Sequence, residues 1–261
     1  MRAAIRVRAD HIVDTVMRNP QHSHTIWKVV LGLFFVALIA GAYFLYPWLR
    51  TRGTRSVRLF EWFRSKEAHL DWMVHAGQVC NDAPFIIPTD AYIGFIWGDS
   101  FRPGHSHQGI DMFGGEAAGV TPVYSAYPGY LTRLPAWVST IIIRVPQDPL
   151  QPERQIWLYY THMADQQGNS FIVSQFKPGT YETYVEAGEL LGYQGNYSGN
   201  PLNPTGVHLH FSIVLDDGQG GFRNELQISN TLDPSPYLGL PLNASRSSGD
   251  VIVCPESALE P

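Results

Sequence analysis

The segment Val207-His208-Leu209-His210-Phe211-Ser212-Ile213-Val214 alternates in character with a period of two. An extended strand puts Leu209, Phe211 and Ile213 on one face, turned to a core, and His208, His210 and Ser212 on the other. β-rich runs recur from Pro84 onward: Phe85–Ile87, Tyr92–Trp97, Pro122–Ala126, Gly129–Leu134, Ser139–Val145, Gln155–His162 and Glu189–Gln194. Pro and Gly separate nearly all of them, drawn from 24 Gly and 19 Pro in 261 residues. Short strands joined by many turns predict an all-β, mostly antiparallel domain. With 44% hydrophobic and 13% aromatic residues, the chain has enough apolar surface for a sizeable core, which excludes a disordered protein.

A different pattern precedes this body. From Val29 to Leu49 (VVLGLFFVALIAGAYFLYPWL) no residue is charged, and at ~1.5 Å per residue the run covers a ~30 Å hydrocarbon layer. Tyr43, Tyr46 and Trp48 gather at one end, where amphipathic rings favour lipid headgroups, and Arg50, Arg52 and Arg55 follow. The competing reading is a cleaved signal peptide with Ala40-Gly41-Ala42 as its processing site. The run continues past that site and a long polar stretch precedes it, so the expectation is an uncleaved transmembrane helix. The domain reading is then a polar cytoplasmic tail over 1–28 with a helix near Ala9–Met17, a span over 29–49, and a juxtamembrane helical linker over 50–83. The β domain covers 84–239, and a Ser-rich tail 240–261. In the linker, Leu59, Phe60, Phe63, Leu70, Met73 and Val74 carry much of a helical spacing that predicts a helix ending near Gly77.

Charge divides along the same line. Residues 1–66 hold eleven of the 18 Lys and Arg but three of the 23 acids, a net +8, which leaves residues 67–261 at −13. An acidic body is a poor binder of phosphate backbones, so nucleic acid is not an expected partner.

Histidines mark the candidate chemistry. In His105-Ser106-His107-Gln108-Gly109-Ile110-Asp111, the even spacing of His107 and Asp111 puts both on one face of an extended chain, while Pro103-Gly104 and Gly109 argue against a helix. His162 ends the run from Ile156, and His208 and His210 share a strand face. Taken singly, each has an ordinary alternative as a solvated edge or a structural histidine. Together they suggest three ligands with an open position, the layout of a catalytic zinc site. The two cysteines, Cys80 and Cys254, lie far from these motifs. A disulfide between them would tie the ends of the domain together, and an extracytoplasmic location permits it; the alternative is two unpaired thiols.

The order His-x-x-x-Asp, strand-end His, His-x-His resembles the lysostaphin-type zinc endopeptidases, which cut the peptide part of peptidoglycan. Supporting stretches are Thr121–Ala126, Gly129–Leu131, Ala187–Gly192 leading into Gly195-Asn196, and Thr205–Phe211. The resemblance covers roughly 84–239 and implies a duplicated-hybrid type of sheet domain. It implies one Zn2+ held by His107, Asp111 and His210, with His162 and His208 lining the groove as catalytic residues. It further implies peptidoglycan peptides as substrate and a body outside the cytoplasm, held to the cell membrane by the N-terminal helix, or secreted if that helix is cleaved. Ser212 stands where a Glu is common, Asp216–Asn224 is a Gly-rich excursion, and Pro201–Pro204 lengthens a loop expected to border the groove. His105 is read as a solvated loop residue. A non-catalytic scaffold of the same family would be expected to lack one of the five site residues, and all are present. A lipoyl- or biotin-carrier domain would need an exposed lysine in a hairpin; the body offers only Lys177 and would leave the histidines without a purpose.

Overall fold

The computed structural model describes residues 20–99 and 105–255; within its first helix, side chains are described for 27–43 and from 55 onward. The helix expected near Ala9–Met17 and the end of the C-terminal tail lie outside the described residues. The chain divides into two compact units between Arg50 and Thr51.

One helix, α1 (Pro20–Arg64), runs through both the expected span and the start of the expected juxtamembrane helix. Among the described residues no helix is long and apolar enough to cross a membrane. The transmembrane expectation for Val29–Leu49 is therefore not supported. Side chains of this run are described over Val29–Tyr43. Those side chains, Leu33, Phe34, Phe35, Val36 and Ile39 among them, are exposed. The juxtamembrane helix also ends earlier than expected, at Arg64 rather than near Gly77. Two 3-10 turns follow, Lys66–Ala68 and Leu70–Trp72, and then Val74 forms a bridge to Ala91. Trp72, Met73 and Val74 thus pack against the body rather than forming a helix face, while Leu70 is exposed.

The body is a mostly antiparallel sheet domain. Its strands are β1 (Tyr92–Phe95), β2 (Ile110–Phe113), β3 (Pro122–Tyr124), β4 (Gly129–Thr132), β5 (Ile141–Val145), β6 (Ile156–Thr161), β7 (Thr183–Val185), β8 (Leu190–Tyr193), β9 (Leu209–Leu215) and β10 (Thr231–Leu232), with a short helix α2 (Ser235–Leu238) after them. The main sheet runs β1-β2-β9-β6-β5-β4-β7; β10 continues the β2 edge of β9, and β3 pairs with β8 in a small second sheet. Ile110, Met112, Leu131, Ile141, Ile143, Leu158, Tyr160, Leu209, Phe211 and Ile213 form the centre of the core. The opposite face of β5, β6 and β9 carries a smaller cluster of Ile142, Trp157 and Val214, covered by Trp137, Tyr159 and Phe222. Alternation along β9 is therefore real, although both of its faces are covered.

Phe85–Ile87 is buried but is not a strand. Its three amide N–H groups donate to Tyr237, Ala126 and Gln78, on three separate segments, so no ladder forms. β7 and β10, two to three residues long, carry no periodicity that a sequence could reveal.

The last turns of α1 belong to the body. Leu59 and Trp62 pack with Tyr92 and Phe113, and Trp62 stacks on Tyr92 with ring centroids 5.4 Å apart. Arg55, 3% exposed, pairs with Asp99 at 3.2 Å and donates to Ser247 Oγ at 2.9 Å. Cys80 and Cys254 form a disulfide across 174 residues, with Cα atoms 5.2 Å apart. Closing so long a loop restricts the unfolded chain, an effect of about 3–5 kcal/mol. Replacing both cysteines by serine is expected to lower the unfolding free energy by that amount in urea titrations. An unchanged midpoint in the double variant would remove the bridge from the domain's stability.

Candidate metal centre

β2 and β9 pair so that Asp111 lies directly across from His210, and β6 sets Thr161 on the other side of His210. The strands approach closely here: a Cβ on Gly109 would meet the Phe211 carbonyl oxygen at 2.2 Å, so only glycine fits. His107 comes from the segment before β2, whose backbone is tied to Asp99 by the His107 N–H donating to the Asp99 carbonyl at 2.6 Å.

Three candidate ligand atoms converge. His107 Nε2 is 3.1 Å from Asp111 Oδ1 and 3.0 Å from His210 Nδ1, and His210 Nδ1 is 2.9 Å from Asp111 Oδ1. All three side chains are buried, and their ligand atoms lie close enough together to hold a metal ion. Tetrahedral zinc with ligands at ~2.0–2.1 Å sets them ~3.3 Å apart, close to this triangle. Two imidazole nitrogens and one carboxylate oxygen also suit zinc chemically. His107 Nδ1–H donates to the Ile96 carbonyl at 3.2 Å, which leaves its Nε2 lone pair facing the centre.

The other two sequence-derived residues stand beside the triangle. His162 Nδ1–H donates to the Tyr197 carbonyl at 2.6 Å, and His208 Nδ1–H donates to the Gly206 carbonyl at 2.7 Å. Each therefore presents Nε2 inward; their ring centroids are 4.6 Å apart, and His208 Nε2 lies 3.4 Å from Asp111 Oδ1. His162 occupies a left-handed backbone conformation, φ 72, at the end of β6. A Cβ on Gly195 would strike the Ala164 carbonyl oxygen at 2.1 Å and the His162 carbonyl oxygen at 2.4 Å, so this glycine lets the following loop close over His162. His105 is half-buried and stands outside the triangle.

Electrostatics follow from burial. Burial and the neighbouring His208 and His210 push the His162 pKa down to about 3. For His210, burial opposes the charged form, but the Asp111 and Glu225 carboxylates outweigh it and raise its pKa to about 10. Burial likewise opposes a charged Asp111, yet His107 and His208 hold its carboxyl well below the usual carboxylate range.

The five residues lie in a groove of about 470 Å³ whose other walls include Tyr159, Thr161, Tyr197, Ser198, Thr205 and Leu226. The loop before His208 reaches it through Ser198, Gly199 and Thr205, while its Pro201–Pro204 stretch is not among the lining residues. Glu225, which sequence reasoning did not single out, also lines it, with Oε1 3.3 Å from His210 Nε2. The Gly-rich excursion preceding it was noted as a departure, but nothing in its spacing ties a glutamate there to a histidine on β9.

No protein-family model matches the sequence, and no curated protein matches it. Among solved structures, the chain is similar to an M23-peptidase-like protein from Pseudomonas aeruginosa, with 18% identity, 67% of this chain and 60% of that chain covered, and a TM-score of 0.36. It is similar to the catalytic domain of the prophage-encoded M23 protein EnpA from Enterococcus faecalis, with 22% identity, 57% and 94% covered, and a TM-score of 0.35. It is also similar to Csd3 from Helicobacter pylori, with 17% identity, 63% and 38% covered, and a TM-score of 0.35. The chain resembles the lysostaphin-type, or M23, peptidases. At such TM-scores the likeness carries no argument about individual residues, and the case for the site rests on its geometry.

Two outcomes follow from that geometry. His210→Ala removes an imidazole that has no substitute in the triangle, and elemental analysis is expected to show zinc lost; His208→Ala is expected to retain most of it. The second concerns pH. With its pKa about 3 when folded and an ordinary value of ~6.5 when unfolded, His162 binds a proton in the unfolded state that the folded state refuses. Its contribution is absent above pH ~6.5 and destabilises progressively as pH falls toward about 3. In metal-free protein His162→Gln is expected to lose less stability than wild type between pH 7 and pH 4.5, measured by urea unfolding at each pH.

Proposed function

We propose that the chain is a zinc metalloendopeptidase that hydrolyses peptide bonds in peptidoglycan stem peptides or crosslinks. The observation that carries this reading is the convergence of His107 Nε2, Asp111 Oδ1 and His210 Nδ1 within 3.1 Å of one another, beside two histidines that turn Nε2 into the same groove. His107, Asp111 and His210 would hold the zinc, which when bound lowers the pKa of water and polarises a peptide carbonyl.

The chain's own residues do the rest. Hydroxyl groups of Thr140, Tyr159, Thr161, Tyr197, Ser198 and Thr205 line the groove and can hydrogen-bond a peptide backbone laid along it. His208 and His162 both engage a backbone carbonyl through Nδ1 and turn Nε2 into the groove, where it can accept a proton. His208 is better placed to hold the water's proton, because its Nε2 lies 3.4 Å from the Asp111 carboxylate. The proton that His208 takes is the one returned to the leaving amine, directly or through His162, whose ring centroid lies 4.6 Å away and whose Nε2 turns into the same groove. Either ring, once protonated, donates a hydrogen bond to the developing oxyanion.

The same reading places the body outside the cytoplasm, where its substrate lies. The Cys80–Cys254 disulfide supports that placement, since such bonds persist in oxidising compartments. The exposed apolar surface of α1 over Trp27–Tyr43 is its proposed membrane contact. Protease added to intact spheroplasts is then expected to degrade the body without membrane disruption.

The deciding experiment is digestion of purified peptidoglycan with the full chain, with mass analysis of the fragments. New peptide amino termini, lost on chelation and reduced by orders of magnitude in His208→Ala, are expected. Unaltered peptides, or cuts confined to the glycan, would exclude the reading.

A further inference from the structure

We propose that Glu225 is a positioning residue for His210: its carboxylate holds the proton of Nε2 and thereby commits Nδ1 to the metal. The inference rests on the metal-site reading and deepens it.

The two histidines of the triangle use opposite nitrogens. His107 turns Nε2 inward and places its proton, on Nδ1, against the Ile96 carbonyl. His210 turns Nδ1 inward, so its proton must sit on Nε2, on the far side of the ring. A neutral imidazole whose proton moved to Nδ1 could not ligate there. The tautomer is therefore set by whatever faces Nε2. That atom is buried and has no aligned hydrogen-bond partner, and the acceptor facing it is Glu225 Oε1 at 3.3 Å. A small rotation of either side chain completes the bond. An acceptor behind a ligating imidazole orients the ring and raises its basicity, with losses of about 10–100-fold in metal affinity on removal.

The carboxylate is placed there by the fold. The Glu225 side chain is 11% exposed, so it needs a compensating partner close by. Its segment is clamped from both sides. Gln108, next to His107, donates from Nε2 to the Leu226 carbonyl at 2.8 Å, and Asn230 Nδ2 donates to the Asn224 carbonyl at 2.9 Å. At the base of the excursion Asp216 forms a bridge to Phe222, whose ring packs on Trp157 and Trp137. Ser212, two residues along β9 on the His210 face, is fully buried and its Oγ makes no hydrogen bond. It is too short to stand behind His210, and the excursion supplies the carboxylate instead. Glu225 lies outside the triangle itself, which identifies it as a support and not a ligand.

The test uses the full chain and reads zinc affinity by chelator competition at pH 7, with the visible spectrum of the Co2+-loaded protein as a second readout. Glu225→Ala is expected to weaken zinc binding 10–100-fold and to shift the Co2+ spectrum. Glu225→Gln, whose amide oxygen still accepts from Nε2–H, is expected to recover most of the affinity. Thermal unfolding at saturating zinc, read for both variants beside the affinities, separates a loss of fold from a loss of ring orientation, and is expected to stay close to wild type. Wild-type affinity in Glu225→Ala, or equal losses in both variants accompanied by a lowered melting temperature, would overturn the role. A wild-type chain that takes up no zinc would overturn the metal-site reading along with it. A chain that binds zinc in this graded way but leaves peptidoglycan intact would sustain the role of Glu225 and count only against the substrate.

Discussion

The pairing of Asp111 with His210 across β2 and β9 is the constraint on which the site depends. Antiparallel strands have a side-chain period of two, so a slip by one residue would send His210 into the core and Phe211 into the groove. The core side of the same strand prevents that slip: Leu209, Phe211 and Ile213 are fully buried there. Hydrophobic burial at ~25 cal/mol per Å2 fixes the register, and the register delivers two ligands to one point. His208 arrives by the same route, one side-chain period upstream, and Thr161 on β6 closes the far side. Asp111 and His210 therefore sit on paired strands, which fixes one side of the triangle, while His107 reaches it from the segment before β2.

Orientation of the rings is a separate problem, and the structure solves it by giving each imidazole a partner for its outward nitrogen. Ile96, Tyr197 and Gly206 supply backbone carbonyls to His107, His162 and His208, and Glu225 faces His210. Three of these partners are main-chain groups in connecting segments, so the rings inherit their directions from loop conformations. That explains the backbone specialisation nearby: a left-handed His162, and a Gly195 on which no side chain fits. It also bears on how four buried imidazoles are tolerated, since three bond a backbone carbonyl through Nδ1 and the fourth faces a carboxylate.

Much of the site was legible because strand alternation and even spacing are local properties. His208, His210, His107 and Asp111 could be assigned to faces without knowing which strands pair, and the structure brings them together. Glu225 was not legible, because its approach depends on how an irregular Gly-rich excursion folds back, and no periodicity encodes that. The sheet class followed from punctuated β-rich runs, whereas β7 and β10 are too short to leave a pattern. Phe85–Ile87 misled for the complementary reason: its apolar run reflects burial, which irregular backbone with scattered hydrogen-bond partners achieves equally well. The N-terminal region shows the limit of reading charge alone. An uncharged run and a helical spacing were separated at Arg50, yet the arginines that seemed to end one element lie within the single helix α1.

That helix has a consequence for the site. Arg55 is buried against Asp99, and breaking such a pair from one side leaves an uncompensated charge at a cost of about 3–5 kcal/mol. Asp99 in turn accepts from the Ile96 N–H at 3.0 Å, and its carbonyl accepts from His107 N–H. Ile96 is the residue whose carbonyl orients the His107 ring. A continuous set of hydrogen bonds thus runs from the end of α1 to a metal-ligand candidate. One turn further on, Ser56, Leu59 and Phe60 line a cavity of about 330 Å³ that shares Asp111, Thr205 and His208 with the groove. The end of α1 is therefore part of the wall beside the histidine groove, and a boundary drawn at residue 84 would cut away both that wall and the charge that steadies His107.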